Sequence, residues 1–205
     1  MKTILAVIAT AIVCLSLHSI ATPSQATQDP YKIQPILDNL DRIDIANKIL
    51  PVLLTKDQTT KILFKVEECR ANAKKQEKRE ADELKTMASE ISKINDDVKK
   101  GIVPPPEFIT KMNKVLDAFS NSRRGVILAN GLIMKDFLKT LLNKGQINAI
   151  VKVIDTVYDE EAKAWTQATD DTKLQFFAVN IFLSENGYQF LQTMHKPGGS
   201  AADSI

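Results

Sequence analysis

The sequence is poor in the side chains on which most catalytic and metal sites depend. Among its 205 residues are only two cysteines and two histidines. It contains no Cys-x-x-Cys, no His-Glu-x-x-His and no glycine-rich phosphate loop, which are short motifs of redox, zinc and nucleotide chemistry. Catalysis needs a nucleophile beside a base, paired acids in a cleft, or a metal. We therefore expect a protein that is not an enzyme and that has no catalytic residues, no metal site and no cofactor.

An excess of either charge is also missing. Lysine and arginine together number 27, aspartate and glutamate 25, and the formal net charge is +2. Proteins that bind nucleic acid usually carry a clustered basic surface that matches the phosphate backbone. The near balance of mixed charges therefore predicts that nucleic acid is not a partner.

Long apolar runs are absent except for one, at the N-terminus. Residues 3–20 are almost continuously apolar, they follow Lys2, and residues 24–26 read Ser-Gln-Ala. A positive start, an apolar middle and a small-residue cleavage site are typical of a secretory signal peptide. We predict a signal peptide over residues 1–26 and export to the periplasm or the extracellular space. An uncleaved membrane anchor is the alternative, because the run is nearly long enough to span a bilayer.

What remains after cleavage suits one domain. Residues 27–195 are predicted to form a single helical domain without stable membrane insertion, and residues 196–205 a disordered tail rich in glycine. Removal of Cys14 leaves Cys69 as the one cysteine, so no disulfide within the chain is expected. Cys69 is then either a buried small apolar residue or an intermolecular link.

Apolar residues recur at helical spacing along most of the chain. The pattern predicts an all-α fold: a long antiparallel helical hairpin with additional C-terminal helices. A short amphipathic stretch over residues 36–50 comes first. Two long helices over residues 55–99 and 107–142 follow, separated by Gly101 and three consecutive prolines, which stop a helix and force a turn.

The register of the hairpin follows from its apolar seam. We expect paired residues to have numbers that sum to about 207, which places Arg123 and Arg124 level with Glu83 and Glu80. Our preferred interpretation of this charged stretch is a solvated surface with exposed ion pairs. A polar break that fixes the register is the alternative.

Beyond the hairpin, a third helix is predicted over residues 146–165 and a last one after a polar break at residues 166–171. Asn186-Gly187 has the composition of a left-handed helix cap. Aromatic residues in this part have two interpretations, either packing in the core or an exposed patch that binds client proteins. These residues are Trp165, Phe176 and Phe177.

Two helix starts share a capping pattern. Thr55 and Gln58 have the spacing of a capping box, in which each side chain bonds the backbone N–H of the other residue. Asn143 and Gln146 repeat that spacing, and residues 50–58 can be aligned with residues 138–146. An internal repeat and a chance likeness of two helix starts both remain open.

Each predicted cap belongs to a Leu-Thr-x-x-Gln pattern, complete in the first copy and degenerate in the second. The residues of the two copies are Leu54, Thr55, Gln58, Leu142, Asn143 and Gln146. Over about residues 50–158 the chain resembles the LTxxQ-motif family of Spy-like and CpxP-like periplasmic helical proteins. The resemblance implies an export signal, a helical hairpin, an antiparallel homodimer with a concave face, and ATP-independent binding of unfolding proteins under stress.

Three functional hypotheses are open from the sequence. The first is an exported cell-envelope binding protein, a Spy-like ATP-independent chaperone or stress protein that binds unfolded proteins. The second is a non-enzymatic structural or adaptor protein that binds one dedicated partner through its helices. The third is a sensor of a small ligand or metal, which the scarcity of ligating side chains disfavours.

Overall fold

A computed structural model of the chain describes residues 33–157 and 168–195. Every regular element in this part of the chain is helical, which confirms the predicted all-α class. The predicted signal peptide, the predicted tail and Trp165 lie outside the described residues. The elements are α1 (Gln34–Ile49), a 3₁₀ turn (Leu50–Val52), α2 (Lys56–Lys99), α3 (Pro106–Leu141), α4 (Lys144–Val157), α5 (Asp170–Phe177), a π-helical turn (Ala178–Phe182) and α6 (Glu185–His195).

The chain divides into two compact units. The core unit consists of the described residues up to Cys69 and from Gly131 onward, and the hairpin unit is Arg70–Asn130. The boundaries between them fall inside the long helices α2 and α3 rather than in loops.

The core unit is built on the apolar faces of short helices and of the ends of the two long ones. Phe177 and Phe182 meet edge to face, with 5.1 Å between ring centroids and 78° between ring planes, a favoured aromatic geometry. Lys173, four residues before Phe177, is also buried, and its Nζ lies 2.7 Å from Asp155 Oδ1. The largest fully buried side chains include Ile49, Ile62, Met134, Leu138, Ile150, Ile154, Leu174, Phe177, Phe182 and Leu191.

The C-terminal helices differ from the prediction at Asn186-Gly187. Both residues lie inside α6 instead of ending a helix, and Gly187 does not have a left-handed backbone. A new helix begins here because the Ser184 hydroxyl accepts a hydrogen bond from the Gly187 N–H at 3.0 Å. Glycine is required at residue 187 because the Ile181 carbonyl comes so near that a Cβ would lie 1.7 Å from its oxygen.

The hairpin unit is an antiparallel pair formed by α2 and α3. Gly101 has a φ of 81° and the Ile102 N–H donates to the Asp97 carbonyl at 3.0 Å, so α2 stops where the sequence predicts. The predicted sum of about 207 for paired residues is wrong. Three side-chain contacts join α2 to α3, with partner numbers that sum to 203, 202 and 201: Glu80–Arg123, Asn72–Asn130 and Glu90–Lys111.

Glu80 also corrects the picture of a solvated charged stretch. It is only 3% exposed, and its Oε2 accepts hydrogen bonds from both Nε and a terminal nitrogen of Arg123. Its Oε1 accepts from Gln76 Nε2 at 3.2 Å. A buried carboxylate favours the alignment of the helices that pairs it with Arg123, because another register would separate Glu80 from this cationic partner on α3. Register fixing, the alternative considered above, is therefore the role the structure supports.

Candidate functional site

The first helix cap forms as its sequence predicts. The Thr55 hydroxyl accepts a hydrogen bond from the Gln58 N–H at 3.2 Å, and the Gln58 Oε1 accepts from the Thr55 N–H at 3.0 Å. Two N–H groups at the start of α2 that have no partner within the helix are thereby satisfied. Leu54, the residue before this cap, packs against the core.

The second cap has the same geometry. The Asn143 Oδ1 accepts from the Gln146 N–H at 3.0 Å, and the Gln146 Oε1 accepts from the Asn143 N–H at 3.1 Å. Leu142, before this cap, is buried in the core cluster. Asparagine thus performs at α4 the capping role that threonine performs at α2, and both predicted caps are confirmed.

The two capping glutamines also bind each other, which the sequence did not reveal. Gln58 Nε2 donates to Gln146 Oε1 at 3.0 Å, and Gln146 Nε2 donates to Gln58 Oε1 at 2.8 Å. We call this reciprocal pair, Gln58 and Gln146, the glutamine clasp. It joins residues that are 88 positions apart in the chain.

Each glutamine of the clasp also donates a hydrogen bond to a backbone carbonyl of the opposite copy. Gln58 Nε2 donates to the Leu141 carbonyl and Gln146 Nε2 to the Leu53 carbonyl, both at 3.2 Å. Leu141 and Leu53 each lie two residues before the capping residue of the opposite copy. Each cap and clasp hydrogen bond of one copy therefore has a counterpart in the other, a local two-fold relationship that favours an internal repeat over a chance likeness.

Leu53 is strained and exposed beside this clasp. Its φ of 54° lies in the left-handed region, where residues with a Cβ are disfavoured, and its side chain is 80% exposed. The Leu53 carbonyl accepts from Gln146, so the clasp helps to hold the chain in this conformation.

A second feature of the core unit is the apolar surface of α1. The periodicity of residues 36–50 predicts one apolar face, but the structure gives the helix two. Ile45 and Ile49 are buried, whereas the other large apolar side chains lie on the opposite side and are 44 to 60% exposed. The exposed members, here called the α1 stripe, are Ile33, Ile36, Leu37, Leu40 and Ile43.

The aromatic pair proposed as a client patch does not lie at the surface. Phe176 and Phe177 are 2% and 0% exposed and belong to the core, because α5 packs against α4 through this face. They are therefore not available to bind a client, and the core interpretation holds for both. Trp165 lies outside the described residues. A large exposed aromatic residue does occur elsewhere in the core unit, at Phe64.

Cys69 and His195 have different surroundings in the structure. Cys69 is buried, and this burial, followed by the charge of Glu68, raises the pKa of its thiol. His195 Nδ1 lies 3.0 Å from the hydroxyl of Thr60. Across residues 33–157 and 168–195, acids, cysteines and histidines form no group of three or more that could hold a metal ion. The helices of the same residues include none with the length and apolar character needed to cross a membrane.

No family model matches this chain, and no curated protein and no solved structure is significantly similar to it.

Proposed function

We propose that this protein is a non-enzymatic binding protein of the cell envelope that holds unfolding proteins without ATP, as a chaperone or stress protein. The observation that carries the proposal is the α1 stripe. Five large aliphatic side chains on one face of α1 and its N-cap residue remain exposed, whereas Ile45 and Ile49, near the C-terminal end of the helix, are buried. A contiguous apolar patch that stays exposed on a folded protein often marks an interaction site.

The chemistry of the stripe suits unfolded clients. Isoleucine and leucine present no directional groups, so they bind apolar segments of many sequences by removing surface from water. Charged side chains at the edges of α1, among them Asp38, Asp41 and Arg42, keep the surrounding surface solvated. The resemblance to the LTxxQ-motif family and the N-terminal apolar run support the same proposal, and with it a location outside the cytoplasm.

The experiment is an aggregation assay of a chemically denatured model protein in the absence of ATP. We expect the chain to suppress aggregation at near-stoichiometric ratios. Ile36→Ser combined with Leu40→Ser should weaken this suppression several-fold, because it removes two members of the α1 stripe. The matched control is Ile102→Ser combined with Val103→Ser, which removes two exposed aliphatic residues at the hairpin turn.

Two results contradict the chaperone proposal. If the protein is folded and soluble but leaves aggregation of the model protein unchanged, it does not bind unfolded clients in general. Equal losses in the two double variants would show that exposed apolar area alone, and not the α1 stripe, is responsible.

A dedicated partner is the second candidate function. The α1 stripe has the spacing i, i+3, i+4 and i+7, which fits one amphipathic helix laid alongside it. This candidate predicts stoichiometric capture of one envelope protein, abolished by the Ile36 and Leu40 double variant, with no effect on aggregation of an unrelated model protein.

A further inference from the structure

Several lysines of α2 are neutralised by acids on the same helix. Opposite charges three or four residues apart stabilise a helix, whereas like charges at this spacing destabilise it. Residues 74–79 depart from this pattern, because they read Lys-Lys-Gln-Glu-Lys-Arg. The pairs elsewhere in α2 have distances of 2.6 to 3.3 Å and are Lys61–Asp57, Lys65–Glu68, Lys85–Asp82 and Lys99–Asp96.

Four exposed cations of the hairpin unit lie within this short segment, and we call them the basic strip. They are Lys74, Lys75, Lys78 and Arg79. Among the residues that the structure describes, no acid forms an ion pair with any of the four. Lys74 and Lys78 are four residues apart, and so are Lys75 and Arg79, so like charges repel each other along the helix. An anion from outside the chain would relieve this repulsion.

The basic strip faces away from α3. Glu80, which bonds Arg123, and the buried Met87 mark the side of α2 that packs against α3. At about 100° per residue these two side chains lie within about 20° of each other, whereas the four cations lie about 100–160° from Glu80. Glu77, the acid between them in sequence, lies only about 60° from Glu80.

The charge of Glu77 acts on the α3 side. The hydrogen bond to Glu80 is the main cause that raises the pKa of Arg123, and the charges of Glu80 and Glu77 raise it further. The carboxylate of Glu77 is thus near enough to Arg123 to stabilise its positive charge. Over residues 74–79, the outward side of α2 therefore carries positive charge without a compensating acid.

The strip and its neighbours lack side chains that read or stack on nucleic-acid bases. Asparagine and glutamine recognise base edges through their amides. Here Asn72 bonds Asn130 on α3 at 3.3 Å, and Gln76 bonds the buried Glu80 at 3.2 Å, so both amides are engaged within the protein. Residues 65–107 contain no aromatic side chain on which a base could stack. Charge without base recognition suits an anionic surface that has no sequence.

The shape of the strip suits a flat surface. Its four cations cover about 140° of the circumference of one helix, so they form a convex row rather than a groove. Lysine and arginine have long apolar stems, which let charged groups on different sides of a helix bend toward one plane. Each cation close to an anionic bilayer strengthens binding about fivefold.

We propose that the basic strip docks the hairpin unit onto an anionic membrane surface, where the phosphate groups of lipids neutralise its four cations. Helix α2 then lies along the membrane surface at residues 74–79, and α3 lies on the side away from the lipid. The proposal does not rest on client binding, because the α1 stripe belongs to the core unit.

Cosedimentation of the full chain with lipid vesicles tests the proposal. The ratio of affinities for phosphatidylglycerol and phosphatidylcholine vesicles is measured, because this ratio cancels binding by the apolar N-terminal run. We expect a ratio of about a hundred or more at about 0.05 M salt. It should approach one near 1 M salt, where charges are screened beyond about 3 Å.

Two lysines of the strip can be neutralised without loss of helix propensity. Lys74→Gln combined with Lys78→Gln should lower the affinity ratio about twenty-fivefold, whereas arginine at both positions should keep it. The matched control is Lys85→Gln combined with Lys99→Gln. It changes the net charge equally, but Asp82 and Asp96 already neutralise these lysines, so the ratio should fall less than about threefold.

Four results would overturn the proposal. The first is equal binding of the wild type to anionic and neutral vesicles, and the second is an equal loss in the two glutamine double variants. The third is tighter binding to a DNA duplex than to anionic vesicles, which would assign the strip to nucleic acid. The fourth is a lower melting temperature of the Lys74 and Lys78 variant, since removal of repulsion should preserve or raise it.

Discussion

Gln58 and Gln146 donate to each other through both side-chain amides, at 2.8 and 3.0 Å, while each also caps its own helix. Each amide oxygen therefore accepts two hydrogen bonds and each amide nitrogen donates two. Full satisfaction of four polar atoms at a partly buried site makes the pair sensitive to the loss of a single donor.

Replacement of either clasp residue by glutamate tests this sensitivity. Gln146→Glu keeps the acceptor for the Asn143 N–H but loses the donor to the Leu53 carbonyl and places a carboxylate against Gln58 Oε1. We expect the free energy of unfolding to fall by about 2–3 kcal/mol. Thr55→Ala, which removes one cap bond and leaves the clasp, should cost about 1 kcal/mol. Urea denaturation measures both, and a smaller loss for Gln146→Glu than for Thr55→Ala would contradict the role of the clasp.

Leu53 allows left-handed backbone strain to be tested at an exposed site. Leu53→Gly removes the left-handed strain but adds freedom to the unfolded chain, and Leu53→Ala keeps the strain. We expect the glycine variant to be more stable than the alanine variant by about 0.5–1 kcal/mol, as measured by thermal and urea unfolding. Lower stability of the glycine variant would show that the backbone at residue 53 is not strained.

Alanine substitution is expected to have opposite effects on stability at two glycines that lie in helices. Gly187→Ala would place a Cβ 1.7 Å from the Ile181 carbonyl oxygen, so we expect a loss of about 3 kcal/mol or more. Gly125→Ala meets no atom within 4 Å and should stabilise α3 by about 0.5–1 kcal/mol through helix propensity. Similar melting temperatures for the two variants would contradict the close packing around α6.

Cys69 is expected to be unreactive in the native protein. Burial raises the pKa of the thiol and also blocks access, so reaction with a thiol reagent at pH 8 requires local opening. In a chain with Cys14 replaced by serine, we expect labelling at least about a hundredfold slower than in denaturant. Fast labelling without denaturant would instead support the intermolecular link considered from the sequence.

The ion pair of Asp171 with Lys139 predicts a small pH dependence. Their hydrogen bond lowers the pKa of Asp171 and raises that of Lys139. The contribution of Asp171 is thus present above its unfolded pKa, about 3.9, and is lost as the pH falls through the lower folded value. The stability difference between wild type and Asp171→Asn should be small because the pair is exposed, and should vanish at low pH. A difference that grows on acidification would contradict this assignment.

Local signals were predictable from the sequence, and relationships between distant residues were not. The caps at Thr55 and Asn143 depend on side chains three residues apart, so their spacing revealed them. The predicted sum of paired residue numbers in the hairpin, about 207, is four higher than the sum of 203 for Glu80 and Arg123. An apolar seam repeats every three or four residues, so a shift of four still matches apolar to apolar. The buried carboxylate of Glu80 distinguishes the alternatives, and its burial is a property of the packed pair.

The same distinction between local signals and long-range relationships applies to the candidate site. Periodicity identified Ile36, Leu37 and Leu40 as an apolar face but could not show that the buried residues of α1 are Ile45 and Ile49, near its C-terminal end. Asn186-Gly187 is a strong local turn signal, yet the cap from Ser184 and the approach of the Ile181 carbonyl give it a helical role.

The mirrored bonding of the clasp has an evolutionary consequence. A substitution at residue 58 removes a donor and an acceptor from residue 146, and the reverse is equally true, so neither position can drift alone without leaving unpaired polar atoms. Homologues should therefore keep both amides or lose both together, with compensating apolar pairs in the lineages that lost them. Ancestral sequences in which the two segments converge would date the clasp to a gene duplication, in which one self-complementary helix start became two halves of a single chain.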